Sequence, residues 1–168
     1  MKTHYRRALL VLALAAASTS VHAVQTDIKV WADVDPTLAL LRADGSALPD
    51  AVQLTYNPVS GLNPWSEQVR IFSNDEDKDI EVRLANAPSL VSLRAGAAAV
   101  PLTVSLNNRA LAVAAQDFTA ADLFDGALPG ASIAMPLRIA QTTQAPITTA
   151  GQYEAIVSVV MAQKTTSP

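Results

Sequence analysis

Val24-Gln25-Thr26-Asp27-Ile28-Lys29-Val30-Trp31-Ala32-Asp33-Val34 alternates over eleven residues, with Val24, Thr26, Ile28, Val30, Ala32 and Val34 at the even positions and polar or amphipathic side chains at the odd ones. Successive side chains of an extended chain point to opposite faces, so this pattern predicts a β-strand with one apolar face. Pro36 comes two residues later. Its ring removes a ladder donor and restricts it to a strand end, an edge or a bulge, so the strand and the rest of the chain read as separable pieces.

On the N-terminal side, Lys2, Arg6 and Arg7 precede the apolar run of residues 8–17, and a polar stretch ends in Val21-His22-Ala23. That order is expected of a secretory signal peptide cleaved after Ala23. Ten apolar residues fall short of the roughly 20 that a helix needs to cross a hydrocarbon core. Residues 24–168 then form the mature chain, 145 residues, enough for one domain with a substantial core. Three of the twelve lysines and arginines lie in the signal, leaving nine against fifteen acidic residues, a charge of −6. Such a chain is not built to bind nucleic acid electrostatically.

The chain has no cysteine, and its two histidines, His4 and His22, both precede the expected cleavage point. Thiol chemistry, cysteine-held metals, histidine general bases and histidine-ligated zinc are therefore excluded for the mature chain, and no cofactor is expected. Without disulfides, a secreted domain relies on burial, backbone pairing or a partner.

Beyond Pro36, the apolar run of residues 37–41 is closed by Ala43-Asp44-Gly45-Ser46, where Asp-Gly favours a turn. Further strands are expected at residues 51–56, 67–73, 79–84, 100–106, 110–114, 133–140 and 153–162. The pair 67–73 and 79–84 reads as a hairpin with the charged tip Asn74-Asp75-Glu76-Asp77-Lys78, and Asn107-Asn108 reads as a second turn. Residues 115–128 carry the one helical signal, with Asp117 as the expected N-cap and Asp122 and Leu123 within a turn or two. Seven or more short strands punctuated by turns predict an all-β, immunoglobulin-like sandwich.

Several residues invite a chemical reading. The acidic tip offers the start of a calcium loop, but Ile80 and Asn86 stand where the Gly and Glu of that loop belong, so a solvated turn is expected. Asp33 with Asp35, or Asp122 with Asp125, are carboxylate pairs of the kind glycosidases use, yet nothing in the sequence places them in a cleft. Trp31 and Trp65 are read as packing residues, because only 5% of the chain is aromatic, too little for a dedicated carbohydrate-binding surface. Tyr153, two places after Gly151, is expected to be a corner tyrosine tying strand to loop through its hydroxyl.

The N-terminal strand with Asp35-Pro36, then Leu38-Ala39-Leu40-Leu41-Arg42-Ala43-Asp44-Gly45-Ser46-Ala47-Leu48-Pro49, Leu54-Thr55-Tyr56-Asn57-Pro58, Ile80-Glu81-Val82-Arg83-Leu84-Ala85-Asn86-Ala87-Pro88 and Thr149-Ala150-Gly151-Gln152-Tyr153 resemble the class five, alpha-type chaperone–usher fimbrial major pilins. Residues 89–146 match less closely. The resemblance implies an incomplete immunoglobulin-like sandwich, residues 37–168, completed by donor-strand exchange. A periplasmic chaperone first fills its groove, an outer-membrane usher exchanges that chaperone, and the strand of residues 24–36 from an identical subunit fills the groove permanently, with Pro36 at the junction. The expected product is a head-to-tail adhesive fimbria on the cell surface, reached through the periplasm, carrying a tip adhesin and attaching to host glycoprotein. The competing expectation is a monomeric periplasmic β-sandwich binding module in which the same strand completes its own fold.

Overall fold

The computed structural model describes residues 38–164. Along the chain the elements are β1 (Ala39–Arg42), β2 (Tyr56–Asn57), β3 (Gly61–Leu62), β4 (Trp65–Phe72), β5 (Ile80–Leu84), β6 (Ser89–Ser92) and β7 (Val100–Leu106). Next come β8 (Arg109–Ala110), β9 (Gln116–Phe118), α1 (Ala120–Leu123), β10 (Met135–Gln141), β11 (Tyr153–Glu154) and β12 (Val159–Gln163). All pairings are antiparallel. One sheet runs β1-β4-β10-β7-β6-β11 with β8 on β7, a second runs β12-β5-β9, and β2 pairs with β3. The two larger sheets form an all-β, immunoglobulin-like sandwich.

Alternation in the sequence becomes burial in the sandwich. In β7, Val100, Leu102, Val104 and Leu106 are buried while Pro101, Thr103 and Ser105 are not. In β5, Ile80, Val82 and Leu84 point inward from the other sheet and meet Val69, Ile71, Met135, Phe118 and Leu123 in one core. Burying such side chains contributes about 1.5–3 kcal/mol each.

The expected hairpin of residues 67–73 and 79–84 does not form. β4 lies between β1 and β10, and β5 between β12 and β9, so the charged tip is a crossover from one sheet to the other. A period of two shows which side chains face the core but not whether two strands share a sheet. Val69 and Ile71 do face Ile80, Val82 and Leu84, from opposite walls.

Three boundaries also differ. Of the strand expected at residues 51–56 only Tyr56 pairs, in the two-residue β2, and Ala51, Val52, Gln53 and Thr55 are exposed. Helix α1 is a single turn capped by Thr119, whose hydroxyl accepts from the Asp122 amide at 3.2 Å. Asp117, the expected cap, instead pairs opposite Glu81 in β9 and accepts a 2.6 Å bond from Lys164. Finally, residues 153–162 are two strands: β11 joins β6, residues 155–158 cross the sandwich, and β12 joins β5.

The turn at Asn107-Asn108 is as expected. Both residues have positive φ, 49° and 60°, the left-handed pair that matches the twist of a two-residue hairpin. They join β7 to β8 through the Leu106–Arg109 pair.

Candidate functional site

The site is set by where the ladders stop. In the β12–β5 pair, the Ala85 amide donates to the Ser158 carbonyl at 2.9 Å and the Lys164 amide to the Asp79 carbonyl at 2.8 Å. Antiparallel strands alternate hydrogen-bonded and non-hydrogen-bonded pairs, so Val160 and Ala162 exchange bonds with Arg83 and Glu81. The amides and carbonyls of Val159, Met161 and Gln163 therefore point the other way, toward an edge that has no partner strand among the described residues.

The same reasoning applies to β1. The Ala43 amide donates to the Gln68 carbonyl at 2.8 Å, which makes Leu41 and Ala39 the residues bonded to β4 and turns the main-chain groups of Leu40 outward. This edge too lacks a partner strand among the described residues. Leu40, Val159 and Met161, whose main-chain groups point outward, carry apolar side chains that pack against the core, with Leu38 and Val157 beyond the strand ends, while Gln163 turns its amide to Ser73.

Between the two edges lies an open groove of about 1220 Å³. Its floor is Leu102, Val104, Leu137 and Ile139, its sides are Leu40 and Trp65 on one wall and Val157 and Val159 on the other, and Leu48, Leu54 and Leu90 close it further along. Polar side chains in the lining are Asp50, Asn86, Ser89, Tyr153 and Glu154. A groove this apolar with two unsatisfied strand edges is a template for one more strand, and left open it invites association.

Tyr153 stands where the chain leaves the first sheet. Its hydroxyl donates to the Thr149 carbonyl at 2.9 Å, fixing the loop before β11, and its side chain lines the groove. Trp65 packs half-buried against the core. A second hollow, lined by Tyr56, Leu62 and residues 147–153, is spanned by a 3.1 Å bond from the Tyr56 hydroxyl to the Ile147 carbonyl.

Asp33 and Asp35 lie outside the described residues, and within them the acidic side chains of the crossover and of the loop after α1 are engaged in local bonds. Asp75 and Asp79 accept bonds from the amides of Asp77 and Ala120, and Asp125 caps the Ala127 amide at 3.0 Å. Among the described residues no group of acidic side chains is placed to hold a metal ion. Two charges are tuned by local bonds. The Ser46 hydroxyl and amide hold the Asp44 carboxyl below its ordinary value, and the Asp117 carboxylate raises the Lys164 ammonium while tying the end of β12 to β9.

Val24, Thr26, Ile28, Val30, Ala32, Val34 and Pro36, the residues of the expected donor strand and junction, lie outside the described residues, as does the expected signal peptide. The acceptor edges, by contrast, are residues the sequence did not single out. The available signal was that residues 157, 159, 160, 161 and 162 are all apolar, so β12 has no polar face.

A family profile described as the CS1 type fimbrial major subunit matches residues 24–162. The CFA/I fimbrial B subunit of Escherichia coli O78:H11 (strain H10407 / ETEC) is 37% identical over 149 residues, covering 86% of this chain and 88% of that protein. The CS1 fimbrial A subunit of Escherichia coli is 32% identical over 162 residues, covering 93% and 95%. The solved structure of the CooA pilin subunit from enterotoxigenic Escherichia coli superposes with a TM-score of 0.66 at 26% identity, covering 79% of this chain and 91% of that one.

Proposed function

From the premise that this chain belongs to the CS1 type fimbrial major subunit family, a family of structural subunits and not of enzymes, we propose that it builds the shaft of an adhesive fimbria by donor-strand exchange. In this reading residues 1–23 are a signal peptide, residues 24–36 the donor segment and residues 37–168 the pilin domain. The observation that carries it is the apolar groove between the outward-facing edges of β1 and β12.

The fit is physical. A strand lying along residues 157–163 covers about 23 Å, and the eleven residues 24–34 reach about 36 Å when extended. Every second donor side chain, among them Ile28 and Val30, turns into the groove. The donor amides and carbonyls meet those of Leu40 on one flank and of Val159 and Met161 on the other. Burial of Val24, Ile28, Val30 and Val34 contributes on the order of 6–12 kcal/mol as an upper bound, set against the costs of ordering and association.

Each subunit gives one strand and accepts one, so the contact is head-to-tail and generates an open filament of identical subunits. Until a donor arrives, the groove needs another occupant. A periplasmic chaperone strand, exchanged at an outer-membrane usher, meets that need, and a tip adhesin and host glycoprotein binding complete the reading at the cell surface.

The test compares the mature chain with one beginning at Asp35, by unheated SDS gel and electron microscopy. Ladders and fibres from the intact chain that vanish on truncation support strand exchange. A monomer in both refutes it in favour of a self-completed binding module.

A further inference from the structure

The two ends of the sandwich differ in surface chemistry. At one end are Phe72 and Ser73, the crossover through Asp75, Glu76 and Asp77, and Gly130, whose carbonyl accepts from the Ser73 amide at 2.8 Å. Gln163 reaches the same end, donating to the Ser73 hydroxyl at 2.7 Å. This crossover end is mainly polar. At the other end β6 runs past the last β7 pair, Leu90–Val100, and the chain enters β12 at Val159 opposite Leu84. There Val91, Leu93 and Ile156 stand 59%, 66% and 81% exposed around the mouth of the groove, with Val52 beside them.

We infer that this apolar lip seats the body of the neighbouring copy whose strand fills the groove, so that each joint is a strand plus a docked domain face. The inference rests on the donor-strand reading and adds a second contact to it. Chain length commits the occupant. From Val34, the last apolar donor residue, to Leu38, where the described domain begins, is four residue steps, at most about 14 Å. The donor's domain must therefore sit immediately outside whichever end of the groove its strand leaves.

Direction decides which end. A strand parallel to β12 would release Val34 at the crossover end, against Asp75, Glu76 and Asp77. A strand antiparallel to β12 releases it at the mouth, against Val91, Leu93 and Ile156. Only the second arrangement covers the cluster of exposed apolar side chains, Val91, Leu93 and Ile156, where the crossover end offers Leu128 alone beside its acidic residues. It also fixes the partner face. In the donor, Ala39 pairs opposite Phe72, so its domain begins at its own crossover end, which carries the half-exposed Leu128 beside Gly130. The crossover end of one copy thus rests on the lip of the next.

The experiment uses the mature full-length chain carrying Leu93→Asp and Ile156→Asp together, beside the unaltered chain, the chain beginning at Asp35, and Val113→Asp, an exposed apolar residue that lines neither hollow. Unheated gels read the strand joint and electron microscopy reads filament stiffness. The expected result is a full ladder for the double variant with straight filaments replaced by flexible chains of beads, and unchanged filaments for Val113→Asp. A lost ladder would assign the lip to the strand's own footprint, and straight filaments would show that it seats nothing. Either overturns the inference. An unaltered chain whose ladder survives truncation at Asp35 would instead sink the donor-strand reading itself.

Discussion

Replacing Ile28 with Asp and, separately, with Asn separates shape from charge at the centre of the donor strand. The groove offers the incoming side chain Leu102, Val104, Leu137, Ile139, Val157 and Val159, with polar side chains at Asp50, Asn86, Ser89, Tyr153 and Glu154, two of them acidic. Both substitutions lose the burial of an isoleucine, about 1.5–3 kcal/mol, and leave a polar group unsatisfied, about 1–3 kcal/mol. Asp carries a further cost. To enter an apolar groove at pH 7 it must take up a proton, and from an ordinary value near 3.9 that costs about 4 kcal/mol. The Asp strand should therefore bind about a thousandfold more weakly than the Asn strand at pH 7. The sign comes from linkage: burial raises the carboxyl's pKa in the joint, so the penalty is absent below about 3.9 and grows as pH rises. At pH 4 the two variants should agree within about 0.5 kcal/mol. The assay refolds the chain beginning at Asp35 with peptides of residues 24–34 bearing Ile, Asn or Asp and quantifies the complex at both pH values. An Asp peptide that matches Asn at pH 7, or that gains nothing on acidification while Ile and Asn stay constant, would show that residue 28 does not enter the groove.

Three further substitutions test the scaffold. Gly61 has φ +89°, and a Cβ there would lie 2.2 Å from the Ala145 carbonyl oxygen and 2.5 Å from Gln141 Oε1, which accepts from the Leu62 amide at 3.0 Å. Gly61→Ala should lower stability by about 2–5 kcal/mol through the left-handed backbone and two displaced hydrogen bonds. Gly45→Ala, at φ +85° with nothing within 4 Å, should cost only about 1–2 kcal/mol; denaturant midpoints of the strand-complemented chain compare them. Ser46→Ala should move the Asp44 carboxyl up toward its ordinary value of 3.8, read by NMR titration, because its largest support is the Ser46 hydroxyl at 2.6 Å. That depressed value stabilises the turn after β1 above the ordinary carboxyl range and is lost as pH falls through it.

The sandwich was legible because its walls obey a period of two: Val100 to Leu106 and Ile80 to Leu84 bury every second side chain. Pairing was not legible, because period gives the face a strand buries and not its neighbour. The turn before β5 looks local, yet the Ser73 amide is taken by Gly130 and the Ser132 hydroxyl accepts from the Ile71 amide, contacts that carry the chain across to the other sheet. Thr119 outcompeted Asp117 as the helix cap because Phe118 is drawn into the core, 2% exposed, which holds residues 116–118 extended. The donor half of the proposed joint was visible as amphipathic alternation at residues 24–34. The acceptor half was not, since an edge strand is defined by the absence of a neighbour, and β1 and β12 read like any other short apolar strands.

That absence also orders the energetics along the molecule. Most of the largest fully buried side chains, among them Ile71, Ile80, Phe118, Leu123 and Met135, lie toward the crossover end, near α1 and the loop through Gly130. Toward the mouth the apolar residues Leu40, Leu54, Trp65, Leu90, Val157 and Val159 are only partly buried and lack a facing strand among the described residues. Without cysteine the chain has no crosslink to offset this deficit. A fold with one finished end and one unfinished end gains most by acquiring a strand that runs the length of the unfinished side, and the gain is realised only by binding. In the proposed joint, completion of the core and assembly of the filament become one step, and a subunit that has not joined its neighbour is expected to be less stable than one that has.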